Sequence, residues 1–228
     1  YLFGVKEVPI DSLIPNKKYF FFSHTIKKQP YNQKLMKALI NKGIQMIDYE
    51  CLKNDKNQRL LGFGRYAGIV GAYNSILAWG LRNEAFTLKP AYLCSDKKEM
   101  ALKLSNIKIP ALKFVLTGGG RVGKGAMELL EIAGIKHVSI NDFKNKSFEY
   151  PVFCLLDCEH YYHDKNDEDF SYEHFFKNSK EYKSTFALFL SIADVYISCH
   201  FWDNQSDPLF TMEDCQKADF KTFVIADI

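Results

Sequence analysis

The sequence predicts an α/β fold of two Rossmann-like domains with parallel sheets and a cleft between them, the first domain truncated. Three observations predict it. Short apolar runs alternate with helix-period stretches along all 228 residues. The run KFVLT passes at once into a glycine turn and an amphipathic helix. The apolar content of 47% is enough for more than one core.

In chain order, LFGVKE, YFFFSH and IQMIDY read as strands, and a helix from Tyr31 to Asn41 places Leu35, Met36, Leu39 and Ile40 on one face. Lys42-Gly43 ends that helix. A long helix over Tyr66 to Leu81 buries Ile69, Tyr73, Ile76, Leu77 and Gly80, although its glycines weaken it, and is expected to be the passage between the domains. The predicted domains are 1–66, a partial substrate domain, and 67–228, a dinucleotide-binding domain. A helix from Lys97 to Leu104 precedes KFVLT. Further strands are expected at HVSI, VFCLL, DVYISC and TFVIAD, with helices around Tyr172 to Leu190. CEHYYHDKNDEDFS is polar enough to read as a long surface loop. The chain opens without a methionine and closes on a core-like strand, so both ends are expected to be cut short.

Composition narrows the function. With 30 basic and 27 acidic side chains the net charge is +3, which gives no electrostatic case for nucleic acid or an anionic membrane. No apolar run is long enough to span a bilayer. Six cysteines scattered through mostly apolar surroundings suit a reducing compartment, and a cytoplasmic location is expected. The expected partner is a small amino-acid substrate, with self-association into a homo-oligomer left open. Cys154, Cys158, His160 and His163 crowd together, but their spacing matches no zinc motif, so no metal is expected.

Gly118, Gly120 and Gly123 fit GxGxxG between an apolar strand and a helix. In that pattern the first glycine permits the turn, the second lets a pyrophosphate approach the backbone, and the third lets helix and strand pack closely. The helix start at Arg121 and Val122 then offers unpaired amides to phosphate. Asp142, about two dozen residues on, is placed to grip an adenosine ribose, yet Asn141-Asp142-Phe143 equally fits a helix-capping turn. Lys136 and His137 could instead serve a 2′-phosphate, so the cofactor is NAD or NADP.

Dehydrogenation of an amine needs a group to take the nitrogen proton and another to manage water at the carbon, and a Lys with a His suits both tasks. Lys6 and His24 each sit at the end of an apolar strand, where ligands bind in open parallel sheets. By pattern alone each also fits an ordinary strand-end residue.

The runs GVKEVP, FFSHTIKKQ, IDYE, FGRYAGIVGA, TGGGRVGKGA and SCHFWDN resemble the lysine-forming saccharopine dehydrogenases and the lysine-ketoglutarate reductase domain of the bifunctional lysine-degrading enzyme, within the alanine dehydrogenase and transhydrogenase superfamily. The likeness runs in the same order from Leu2 to the last residue. It implies an oxidoreductase that interconverts saccharopine with L-lysine and 2-oxoglutarate, with Lys6 and His24 as the acid-base pair. It also implies Lys27, Gln29 and Arg59 as substrate-binding groups and Phe63 as part of the same pocket. Ser198 to Trp202 and Asp227 would face cofactor and substrate. Gln58 stands where some NAD-dependent relatives carry an Arg, and Cys199-His200-Phe201 replaces the family's Gly-Ile-Tyr character. An alanine-dehydrogenase-like enzyme and a catalytically silent NAD(P)-binding module are the competing expectations.

Overall fold

The computed structural model describes residues 1–228, which separate into two units, Tyr1–Phe63 and Gly64–Ile228. In the first, β1 (Leu2–Phe3), β2 (Lys18–Phe21) and β3 (Gln45–Asp48) form a parallel sheet in the order β1-β2-β3, crossed by α1 (Gln33–Asn41). Register pairs Phe3 with Phe20 and Phe21 with Asp48, so the carboxyl ends of β2 and β3 finish level. The core of this unit is small: Leu13, Tyr19, Phe21, Leu35 and Leu39. A three-stranded layer this short covers only part of α1, so Leu35 and Leu39 are buried while Met36 and Ile40 of the predicted apolar face stay exposed. The predicted strand LFGVKE is paired only over Leu2–Phe3, and Gly4 N–H adds one more bond to the Phe20 carbonyl.

The second unit begins with α2 (Gly64–Arg82), which lies wholly inside it and is not a passage between units. After α3 (Lys97–Ser105) come β4 (Lys113–Thr117), α4 (Arg121–Ile132), β5 (Lys136–His137), α5 (Ile140–Asn145), β6 (Val152–Leu156), β7 (Tyr162–Asp164), α6 (Tyr172–Lys177), β8 (Tyr182–Ser184), α7 (Ala187–Leu190), β9 (Val195–Ser198), α8 (Met212–Cys215) and β10 (Val224–Asp227). Five of these strands form a parallel sheet in the order β10-β9-β4-β6-β5.

Alternation along the central strands sends Phe114, Leu116, Phe153, Val195 and Ile197 to one face and Val115, Cys154, Leu156 and Tyr196 to the other. Helices cover one face and an aromatic cluster the other, which is why these strands read as continuous apolar runs.

The glycines of α2 do not break it. They are where α4 crosses: a Cβ on Gly68 would run into the Val122 carbonyl oxygen and one on Gly125 into that of Arg65. Small residues at the crossing let two backbones touch and bring the start of α4 into place.

Two expectations fail. HVSI is a strand only over Lys136–His137, because Ser139 accepts the Asp142 backbone N–H at 3.0 Å and starts α5. The CEHYYHDKNDEDFS stretch is not a surface loop: Tyr161 and Tyr162 are buried, and β7 pairs antiparallel with β8. The helices expected around Tyr172 to Leu190 are α6 and α7, with β8 between them. Aromatic burial outweighs the local excess of charge there. No helix is long and apolar enough to cross a membrane.

Candidate functional site

In the first unit the segment after β2 is held by Asp48 at the end of β3. Asp48 accepts Ser23 N–H at 3.2 Å, the Ser23 hydroxyl at 2.5 Å and Glu50 N–H at 2.9 Å. That anchor fixes the residue that follows, His24, in the left-handed region at φ 56°, a conformation that costs a non-glycine residue about 1–3 kcal/mol. The imidazole is thereby turned between two partners. Its Nδ1 is hydrogen-bonded to the Glu7 carboxylate, and its Nε2 lies 3.4 Å from Lys6 Nζ.

A carboxylate on Nδ1–H leaves Nε2 facing Lys6 Nζ, so the two nitrogens can share a proton. Burial alone would raise the Glu7 carboxyl, but the His24 bond and the charges of His24 and Lys6 outweigh it and hold the carboxyl below its usual range.

Phe22 organises the rest. Lys6 Nζ lies 4.5 Å from its ring centroid, Arg59 Cζ lies 5.7 Å away, and Phe63 meets it edge-on at 5.6 Å. Phe63 also faces Lys6, 4.9 Å from Nζ. Arg59 Nη2 donates to Glu50 Oε1 at 3.1 Å, and Glu50 is almost wholly buried with Oε2 unpartnered. Lys6, His24, Arg59 and Phe63 therefore converge on one ring.

Lys27 and Gln29 lie on the exposed turn that follows His24. Lys27 N–H bonds the His24 carbonyl, and Gln29 Oε1 accepts the Tyr31 hydroxyl. Gln29, with Thr25, Lys28, Asn32 and Asp48, lines a cavity of 870 Å³ in this unit. Glu7, Phe22, Asp48 and Glu50 were not singled out in the sequence. Their only signal was that they fall within the motif runs, because the contacts that give them roles join segments far apart in the chain.

In the second unit the glycine turn behaves as the pattern demands. Gly118 has φ +90°, and a Cβ there would come within 2.7 Å of the His200 backbone. A Cβ on Gly123 would run into the Gly118 carbonyl oxygen, whereas Gly120 has nothing within 4 Å. The open space is thus where a phosphate must approach. Gly120 caps α4 with no side-chain bond, so the amides of Arg121, Val122 and Gly123 head the helix without a capping side chain. These features fit a dinucleotide pyrophosphate.

Register aligns Thr117 with Ser198 and Ser198 with Asp227, so all three stand on the same carboxyl edge as the turn. His200 is held there by a 2.8 Å bond between Nδ1 and the Thr117 hydroxyl. Burial pushes its imidazole down against an upward pull from Asp227. His200, Ser198 and Asp227 also line a cavity of 320 Å³ with Tyr196 and Trp202.

Asp142 is not gathered with this edge. It lies in the first turn of α5, paired with Lys146 at 2.9 Å, and the carbonyl of its neighbour Phe143 accepts Lys113 Nζ from the amino end of β4.

No protein-family model matches the chain. It is 29% identical over 238 residues to the mitochondrial alpha-aminoadipic semialdehyde synthase of Bos taurus, covering 94% of this chain and 26% of that protein. The alpha-aminoadipic semialdehyde synthase of Arabidopsis thaliana is 24% identical over 250 residues, covering 94% of this chain and 24% of that protein. The NAD+, L-lysine-forming saccharopine dehydrogenase of Schizosaccharomyces pombe is 29% identical over 149 residues, covering 59% of this chain and 40% of that protein. The resemblance read from the motif runs is borne out by these relatives. The chain spans about a quarter of the length of the synthases. Among solved structures, an L-alanine dehydrogenase superposes with a TM-score of 0.49 at 14% identity, covering 98% of this chain and 54% of that one.

Proposed function

We propose that this chain, similar along most of its length to saccharopine-metabolising enzymes, is the acid-base and nicotinamide-binding part of an NAD(P)-dependent oxidoreductase. Its substrate is the CH–NH group of saccharopine, and the reaction is saccharopine plus NAD(P)+ and water to L-lysine, 2-oxoglutarate, NAD(P)H and a proton. The observation that carries the proposal is the Glu7, His24, Lys6 relay, which supplies two proton-transfer groups in contact and a carboxylate that sets the tautomer of one of them.

The nicotinamide, when bound, supplies the acceptor for the hydride that leaves the substrate carbon. Gly118, Gly120 and Gly123, with the amides of Arg121 and Val122, hold the pyrophosphate, and Ser198 and Asp227 face the nicotinamide end. Lys6 Nζ, as the free amine, takes the proton of the secondary amine as the hydride leaves the neighbouring carbon, which gives an imine. His24 Nε2 then accepts a proton from water as the water adds to the imine carbon, and Glu7 stabilises the imidazolium that results. Lys6 gives its proton to the imine nitrogen as the water adds; the carbinolamine then splits as Lys6 carries the hydroxyl proton to the departing lysine nitrogen, and the proton held by His24 is the one released. Arg59, Lys27 and Gln29 offer donors to the substrate carboxylates, and Glu50 holds the Arg59 guanidinium in place. Six unpaired thiols fit a reducing compartment, and the cytoplasm is the location proposed.

The test is nicotinamide absorbance with the whole protein, offering L-lysine plus 2-oxoglutarate and, separately, pyruvate plus ammonia, each with NADH and NADPH. Oxidation with lysine and 2-oxoglutarate alone is the expected result. Oxidation with pyruvate and ammonia would move the reading to a small-amino-acid dehydrogenase. No oxidation with either pair, from protein that binds nucleotide, would leave a silent binding module.

A further inference from the structure

Strand order brings to the adenosine end of the cofactor a residue other than Asp142, the one that spacing picks out. By chain order β5 follows α4 and should lie beside β4, yet β5 is the two-residue edge strand and β6 takes the inner place. On this side of β4 the strand end that adjoins the glycine turn is therefore that of β6. Thr117 pairs with Leu156, Gly118 N–H donates to the Leu156 carbonyl at 2.8 Å, and the next residue is Asp157. Its Oδ1 accepts Gly119 N–H at 2.9 Å, and its two carboxylate oxygens lie 3.2 and 3.3 Å from where a Cβ on Gly119 would stand. His160 Nδ1 accepts the Asp157 backbone N–H at 3.0 Å and steadies this strand end.

We propose that Asp157 grips the adenosine ribose and makes this chain select NAD(H) over NADP(H). The proposal rests on the dinucleotide-binding reading of the glycine turn. In such folds the ribose lies over the end of the strand beside the turn, where a carboxylate accepts its hydroxyls. A 2′-phosphate at that place removes a donor and sets its negative charge against the carboxylate.

The cations considered for a 2′-phosphate are elsewhere. Lys136 and His137 pair with Val152 and Phe153, about 16 and 13 Å down the sheet from Asp157 at 3.3 Å per residue. Both are occupied there, Lys136 over the Tyr150 ring and His137 stacked on Phe153. Asp142, the other carboxylate candidate, sits toward the amino end of β4 through the Phe143 to Lys113 contact. Arg121 is the cation of the turn itself, and its charge is common to both cofactors because both carry the pyrophosphate.

The experiment is equilibrium binding of NADH and NADPH to the whole protein without substrate, with ADP-ribose and its 2′-phosphate as competitors. The wild type is expected to bind NADH at least about tenfold more tightly than NADPH. Asp157→Asn keeps an acceptor for Gly119 N–H but removes the charge, and should shrink that ratio about tenfold, mainly by tightening NADPH. Asp142→Asn should leave the ratio unchanged. Equal or tighter NADPH binding by the wild type would overturn the proposal whether or not the Asn variant folds. So would an unchanged ratio in a folded Asp157→Asn. Failure of the wild type to bind either nucleotide would instead remove the dinucleotide reading on which the proposal stands.

Discussion

Arg65 on α2 and Glu128 on α4 meet in a two-pronged contact, Nε to Oε2 at 2.8 Å and Nη2 to Oε1 at 2.7 Å, and Lys97 joins the same carboxylate at 2.5 Å. The contact flanks the crossing where Gly68 and Gly125 let the two helices touch. The ion pair is exposed, so the crossing itself holds the helices together. Gly68→Ala and Gly125→Ala should each cost about 1–3 kcal/mol, because the added methyl meets backbone that cannot swing aside. Arg65→Ala should cost clearly less. Urea midpoints of the three variants check this ranking, and a larger loss for Arg65→Ala would refute it.

Lys6→Met and His24→Gln should each lower turnover of the whole protein about 10²–10⁴-fold while leaving NADH affinity unchanged. The double variant should lose little more than either single one, because the two side chains act as one relay. Steady-state rates set beside nucleotide titrations decide it, and additive losses would separate the pair.

Glu7 ties stability to pH. Its carboxyl titrates below the usual value in the folded chain, so its contribution is complete above the ordinary glutamate value near ~4.3 and is lost as pH falls through the lowered one. Relative to Glu7→Gln, the wild type should lose stability across that acid window, by less than about 1 kcal/mol since the side chain is partly exposed. Parallel stability curves for the two proteins between pH ~5 and pH ~3 would remove the coupling.

The glycine turn should divide its roles on substitution. At Gly120, φ is −72° and nothing lies within 4 Å. Gly120→Ala should therefore fold normally and bind nucleotide about tenfold or more weakly. Gly123→Ala should lower the melting temperature instead, since its methyl would overlap the Gly118 carbonyl oxygen. Equal melting losses for the two would show that Gly120 has a packing role.

The strand-turn-helix from Lys113 to Ile132 was legible in the sequence because its signals are local: a continuous apolar run, three glycines at fixed offsets and a helix-period face. Lys6 and His24 were read at strand ends, and each lies three residues beyond its strand, β1 ending at Phe3 and β2 at Phe21. What lay beyond the sequence was every property that depends on which segments become neighbours. Tyr161 and Tyr162 sit among charges in the chain but are buried under Phe186 and Phe175, brought from later segments. Glu7 acquires a role only when β1 and β2 pair and bring it to His24. Asp142 and Asp157 each follow a strand, and spacing from the glycine turn picks out Asp142. Only the order of strands decides that β6, with Asp157, adjoins the turn while β5 lies at the edge. Strand order is set by nonlocal burial: the wholly apolar VFCLL run needs cover on both faces and takes the interior place, whereas two polar residues, Lys136 and His137, can occupy an exposed edge.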